Sequence, residues 1–131
     1  MTEGPVFGLA APQFVVADVE STAHYYCDVL GFEITDRFLD PPVHMIVTRG
    51  YVQIFLAQAR GESSVSNRRL LDVGIDAYIR VWGVRALADE FRSRGATILE
   101  GPVIRVYEQE ELVVEDCNGF VLVFGEDTPP N

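Results

Sequence analysis

Val16 returns as Val81 after 65 residues, Gly31 as Gly95 after 64, and Gly50 as Gly119 after 69. Around these anchors one order of elements occurs twice, and that repetition limits the architecture more than any single motif does. In the first half Gln13–Ala17 is a β-rich run, and Asp18 is placed as a helix N-cap whose carboxylate accepts the free N–H groups of the first turn. Ala23, Tyr26, Cys27 and Leu30 then fall at i, i+3, i+4 and i+7, a helical stripe that stops at Gly31. Phe32–Phe38 reads as a strand, and Met45–Thr48 with Tyr51–Gln58 as a hairpin across Arg49-Gly50. In the second half Ala77–Trp82 is the strand, and Val84, Leu87, Ala88 and Phe91 the helical stripe, with Arg92 and Arg94 near the negative end of the dipole. Thr97–Leu99 is a short extended piece before a Gly101-Pro102 turn. Glu111–Glu115 and Phe120–Phe124 form a hairpin around Asn118-Gly119, a strong turn signal. Residues 60–74 between the halves are polar and Ser-rich, the composition of a surface connection. The closing EDTPPN reads as a frayed tail.

Neither half buries both faces of its sheet alone, so two such modules must share a core, within one chain or between two. The expectation is an α+β fold of two βαβββ modules forming a curved mixed sheet cup, paired or exchanged in a homodimer. One domain covers residues 9–126, with module one at 9–59, the linker at 60–74 and module two at 75–126; residues 127–131 are the tail.

Charge narrows the function. The chain carries 20 acidic and 10 basic residues, a net charge of −10, and every basic residue is an arginine. Nucleic-acid affinity comes largely from Lys and Arg displacing counterions, so a nucleic-acid partner is not expected. The lack of lysine removes Schiff-base chemistry and the lysine-dependent phosphate loop. The acidity is first a matter of solubility, and it tilts ligand preference toward cationic or neutral molecules. No apolar run approaches the roughly 20 residues that span a bilayer, so no membrane partner is expected. The opening MTEGPVFGLA lacks the pattern of a secretory signal. Cys27 and Cys117 are distant in sequence and without CxxC spacing, which indicates neither a disulfide framework nor a zinc knuckle and makes the cytoplasm the expected location.

The stretch FVVADVESTAHYYCDVLGFEI, a strand, an Asp, a helix with a Tyr pair and then Leu-Gly-Phe, resembles the first module of the vicinal oxygen chelate superfamily. LVVEDCNGFVLVFGED is similar to its closing hairpin, and the resemblance covers residues 9–126. It implies the paired βαβββ fold. It does not imply one activity, because the superfamily includes glyoxalases, epimerases, extradiol dioxygenases, fosfomycin-modifying enzymes and proteins that simply bind drugs such as bleomycin. In metal-dependent members four side chains, mostly His, Glu or Gln, hold a divalent ion. The resemblance places the first seven residues before the capping Asp, at Ala11, with its repeat at Asp76. The other two fall four residues after the hairpin glycines, at Ile54 and Val123. Only Asp76 of these can coordinate a metal. A register shift substitutes Gln13 and Gln53, still without an imidazole, and such a set holds a transition metal or zinc poorly.

Other chemistry-bearing residues add little. His24 reads as an exposed helix residue and Cys27 as helix packing. Cys117 lies in a turn without an identifiable basic neighbour, and there is no G-x-S-x-G elbow. Glu110 and Glu111 are adjacent, so on a strand they face opposite sides and cannot act as a dyad. What remains is a cleft. If Ile79 and Val81 pack under the helix, then Asp76, Tyr78, Arg80 and Trp82 face the cup, joined by Gln13, Val15, Ile54 and Val123, with Phe38, His44 and Tyr107 toward its mouth. Aromatic walls with a few polar groups are the usual form of a small-molecule site. Trp82 and Tyr78 would stack on a planar or cationic ligand, and Asp76 and Arg80 would orient it. The same strand residues also suit packing against a partner module, with Asp76 and Arg80 as a structural pair. The expected function is stoichiometric binding of an aromatic or hydrophobic small molecule, resembling the metal-free bleomycin-resistance-like members, with no cofactor, no metal and no catalytic residue. The alternatives are a glyoxalase- or epimerase-like lyase or isomerase using a divalent ion around Gln13, Gln53, Asp76 and His44, and a ligand-free subunit whose dimer surface is its function.

Overall fold

The structure is a computed structural model that describes residues 4–129. The first half contains β1 (Gln13–Val16), α1 (Val19–Asp28), β2 (Glu33–Phe38), β3 (His44–Arg49) and β4 (Val52–Gln58). The second contains β5 (Ala77–Arg80), α2 (Val84–Arg94), β6 (Thr97–Ile104), β7 (Gln109–Glu115) and β8 (Val121–Asp127). The two four-stranded sheets have one topology, β1-β4-β3-β2 and β5-β8-β7-β6. In each, the first strand lies parallel to the last and the remaining pairs are antiparallel. This is the α+β arrangement of two βαβββ modules.

Strand alternation divides each sheet into a helix face and an inner face. Phe14, Val16, Met45, Val47, Ile54 and Leu56 are buried in the core of the first half, and Ile79, Leu112, Val114, Leu122 and Phe124 in that of the second. These groups join in one continuous cluster through Ala23, Tyr26, Ala88 and Phe91 of the helices. The modules therefore share a core within one chain. No described helix is long and apolar enough to cross a membrane.

The helix starts differ instructively. Asp18 caps α1 as its sequence suggests, with Oδ1 accepting from the Ser21 N–H at 3.1 Å. Gly83 begins α2 and has no side chain to offer. Glu126 supplies the cap instead, its two oxygens accepting from the N–H groups of Gly83 and Val84 at 3.0 Å each. These bonds hold the Glu126 carboxyl below the usual range.

Three expectations need correction. The tail does not fray at Glu126: β8 extends through Asp127, and the Thr128 N–H donates to the Glu108 carbonyl at 3.0 Å. Pro130 and Asn131, like Met1–Glu3, lie outside the described residues. Gly101-Pro102 is not a turn but an irregularity inside β6, which shifts register between Glu100↔Val113 and Val103↔Glu111 and keeps pairing. Gly101, at φ +100°, lies so close to β7 that a Cβ would stand 2.3 Å from the Glu111 carbonyl oxygen. The linker, finally, is not purely a surface connection. Its Ser64 N–H donates to the Val15 carbonyl at 2.9 Å, and Ser66 is buried at the start of a short 3₁₀ turn, Asn67–Arg69.

Candidate functional site

The inner face of the second sheet carries a polar cluster built on Glu111. This carboxylate is 3% exposed, yet three donors reach it. Tyr78 donates to Oε2 at 2.8 Å, while Tyr107 at 2.8 Å and the Arg105 Nε at 3.0 Å donate to Oε1. A buried carboxylate is tolerated only when paired and hydrogen-bonded, and this one has both. Burial and then the bond to Glu111 push the Tyr78 hydroxyl up to about 12, so it stays a donor throughout the physiological range. Arg105 also forks onto Glu100 at 2.7 and 3.1 Å. Nearby, Arg80 donates to Gln109 at 2.7 Å and Asp127 at 2.8 Å, its guanidinium carbon 5.9 Å from the centre of the Tyr78 ring. Below this cluster Val113, Val121 and Val123 are buried under Ile75 at the end of the linker.

The first sheet's inner face is more open. Gln13 is exposed on β1, beside Phe55 of β4. His44 is half-buried, its ring edge-on to Phe55 at 5.6 Å, and pairs across the strands with Phe38, which is 57% exposed.

The expected residues thus separate into groups. Tyr78, Arg80, Tyr107 and Val123 share the second inner face, and Gln13, Phe38 and His44 the first. Ile54 lies on neither inner face, although it lines the cavity at the seam between the sheets. It is fully buried on the helix face. Counting from the hairpin glycines misplaced it, because Arg49 and Val52 flank a two-residue turn whereas Asp116 and Phe120 flank three residues. Strand pairing gives the true correspondence: Gln13 sits beside Phe55 as Tyr78 sits beside Val123. Trp82 lies beyond the end of β5 and is 87% exposed at a mouth between the modules rather than over the inner face. Asp76 does not pair with Arg80, which bonds Asp127 instead. The Asp76 Oδ2 accepts from Ser66 Oγ at 2.6 Å and the Val121 N–H at 2.8 Å, and its Oδ1 from the Asn67 N–H at 2.9 Å. It ties the linker to β8.

These positions also answer whether a divalent ion fits. With strand pairing, the four places that the resemblance assigns to the ion become Ala11, Phe55, Asp76 and Val123. Three are hydrocarbon, and the fourth already accepts three hydrogen bonds. Among the described residues no group of three or more His, Cys, Asp or Glu side chains gathers to hold an ion. Ala11, Phe55, Asp76 and Val123 do not fit a divalent ion.

Sequence reasoning missed Glu111, Arg105 and Phe55. Alternation with Val113 already put Glu111 on the inner face, and its buried state was hidden because Tyr78 and Tyr107 are distant in sequence. Between the sheets the inner side of the seam opens as a cavity of about 640 Å³, with Pro12 and Gln53 on one wall, Tyr78 and Arg80 on the other, and Tyr51 and Trp82 at its mouth.

This combination, duplicated βαβββ modules around a mainly apolar cleft, defines a class of protein rather than one activity. The chain belongs to the Glyoxalase/Bleomycin resistance protein/Dioxygenase superfamily, whose family model matches residues 8–124. Among solved structures it is similar to TioX from Micromonospora sp. ML1, at 15% identity and TM-score 0.73, covering 92% of this chain and 99% of that one. A putative glyoxalase family protein from Bacillus anthracis, at 15% identity and TM-score 0.72, covers 97% and 100%. An integron cassette protein from V. cholerae, at 21% identity and TM-score 0.66, covers 95% and 98%. These likenesses establish the fold. No curated protein matches the sequence significantly.

Proposed function

We propose that the protein binds an aromatic or hydrophobic small molecule, cationic or neutral rather than anionic, without a metal and without changing it covalently. The observation that carries this reading is the replacement of ion-holding side chains by Ala11, Phe55 and Val123, with Asp76 committed to the linker. Binding requires only a shaped, largely apolar cavity with a few fixed polar groups, and the inner side of the seam supplies one. Tyr78 and Trp82 offer ring faces, Gln53 an amide, and the net charge of −10 favours a cation. The kinship with bleomycin-resistance-type binders is part of the same proposal.

A homodimer completes the reading. Phe38, Leu39 and Val43 are 43–60% exposed around the first inner face, a patch that a second copy would cover. The free thiols of Cys27 and Cys117 suit a reducing cytoplasm. The test is titration with proflavine, a cationic planar aromatic, before and after dialysis against EDTA, with metal analysis and sedimentation of the same sample. Binding that is stoichiometric, unaffected by EDTA and weakened at least tenfold by Tyr78→Ala supports the proposal. A tightly held divalent ion whose removal abolishes binding overturns it in favour of a lyase or isomerase, and absence of binding across a panel of cationic and neutral aromatics favours a ligand-free subunit.

A further inference from the structure

The duplicated modules meet at two corresponding junctions, and only one is filled. Strand pairing makes Phe14 the counterpart of Ile79 and Phe120 the counterpart of Val52. At the first junction Phe14 of one module stacks on Phe120 of the other, with ring centres 4.3 Å apart and planes within 8°. Both rings are at most 4% exposed. At the second junction the same two places hold Ile79 and Val52, which are aliphatic and smaller.

The turns reinforce this difference. The longer turn of the second module reaches α1: Tyr26 donates to Asp116 at 2.6 Å, and Asn118 donates to the Thr22 hydroxyl at 2.9 Å. The shorter Gly50-Tyr51 turn sends its Tyr51 side chain outward, 87% exposed, and only Arg49 crosses to α2. A groove of about 620 Å³ results on the helix side of the seam, running from Tyr51 and Trp82 at its mouth past Ala86 and Leu87 down to Phe91 and Phe124. Its charged side chains are internally satisfied: Arg49 is forked onto Glu90 at 2.8 Å and bonded to the Leu30 carbonyl at 2.9 Å, and Arg80 at its rim donates to Asp127 at 2.8 Å and Gln109 at 2.7 Å.

We propose that this helix-side groove is a second binding site, separate from the inner faces, for a planar and uncharged aromatic molecule occupying the place that the Phe14–Phe120 stack fills at the corresponding junction. The groove's size lies within the ordinary range for small-molecule sites. A charged ligand would lose hydration without a free counter-charge to meet, since Arg49 is already paired with Glu90 and Arg80 with Asp127. The exposed rings of Trp82 and Tyr51 at the mouth can each stack, offset, on a flat apolar guest. The groove shares its rim (Tyr51, Val52, Ile79, Arg80 and Trp82) with the inner-side cavity, and its helix-side wall is its own.

The test uses N-phenyl-1-naphthylamine, a neutral bicyclic-plus-phenyl probe whose absorption overlaps the emission of Trp82, the chain's single tryptophan. One probe per chain is expected, with quenched Trp82 emission. Ala86→Trp, at an exposed position of α2 that lines only this groove, should weaken probe binding at least tenfold. The double variant Val52→Phe/Ile79→Phe, which copies the filled junction, should do the same. Gln53→Ala, on the inner side, should leave probe affinity unchanged within twofold. Circular dichroism and thermal melting verify that each variant is folded, and Ala86→Trp serves alone if the double variant is not. The proposal fails if the probe does not bind, if Ala86→Trp binds as well as the parent, or if Gln53→Ala weakens the probe as much as Ala86→Trp. It also fails if sedimentation shows that the probe binds only by dissociating a dimer, because a second copy then fills the groove.

Discussion

The filled junction and the open one are built at matching positions of a repeated fold, yet they hold the modules together by different physics. At the first, a stacked pair of rings and a buried Tyr26–Asp116 hydrogen bond exclude water. At the second, small aliphatics leave a groove, and an ion pair about one-third exposed on each side makes the crossing. A duplicated architecture can thus assign stability to one copy of an interface and leave the other free for recognition.

This contrast breaks most readily at the aromatic stack. Phe120→Ala should cost about 4 kcal/mol by urea unfolding, from lost burial and the cavity left behind. A cost below about 1 kcal/mol would mean that the filled junction is not the stabilising one. Asp116→Ala comes next, at about 3 kcal/mol, because it strands the Tyr26 hydroxyl and the N–H groups of Asn118 and Phe120, which donate to Asp116 at 2.8 and 2.9 Å. Arg49→Ala at the open junction should cost about 1 kcal/mol, since solvent screens the pair it breaks. Near-equal costs for these last two would erase the distinction between the junctions. Smallest is Glu126→Ala, which removes the borrowed cap of α2. It should lower stability by about 0.5 kcal/mol or slightly more, a loss visible as faster amide exchange in the first turn of that helix.

Acid sharpens the same contrast because the two junctions respond with opposite sign. The Arg49 guanidinium bonded to Glu90 holds that carboxyl below its ordinary value of 4.5, so its contribution is intact above that value and is lost as pH falls toward the folded-state pKa. Burial pushes Asp116 above 3.8, so the folded state binds this proton more tightly, and acidification through that window favours folding. Urea midpoints measured between pH 3 and 6 should therefore fall less steeply with acid in Glu90→Gln than in the parent, and more steeply in Asp116→Asn. Parallel curves for all three proteins would contradict this assignment.

The repeat, the helix stripes and the hairpins were legible because each has a local signature: glycine at a stop or turn, apolar spacing of three and four, alternation of two. The seam was not. A one-residue difference between the turns moved Ile54 from the expected inner face to the core and put Phe55 in its place, a change invisible until the strands are paired. Asp76 stood out as the one carboxylate among the positions that the resemblance assigns to an ion, but its partners Ser66 and Asn67 lie in a linker without periodicity to predict their approach. Glu126 was read only as the start of a frayed end, because a cap is sought immediately before its helix and this one arrives from a strand at the far end of the module. In each case the missing information was a contact between segments remote in sequence.

A Cβ at position 125 would stand 2.0 Å from the Tyr78 hydroxyl. Any side chain there displaces the phenol and takes a donor from Glu111, leaving a buried negative charge with one partner fewer. Positions 78 and 125 are thereby bound to a joint evolutionary fate. In related sequences that retain the carboxylate, a bulkier residue in place of this glycine should be accompanied by a shorter one in place of the tyrosine, a covariation that marks the lineages sharing this particular polar cluster.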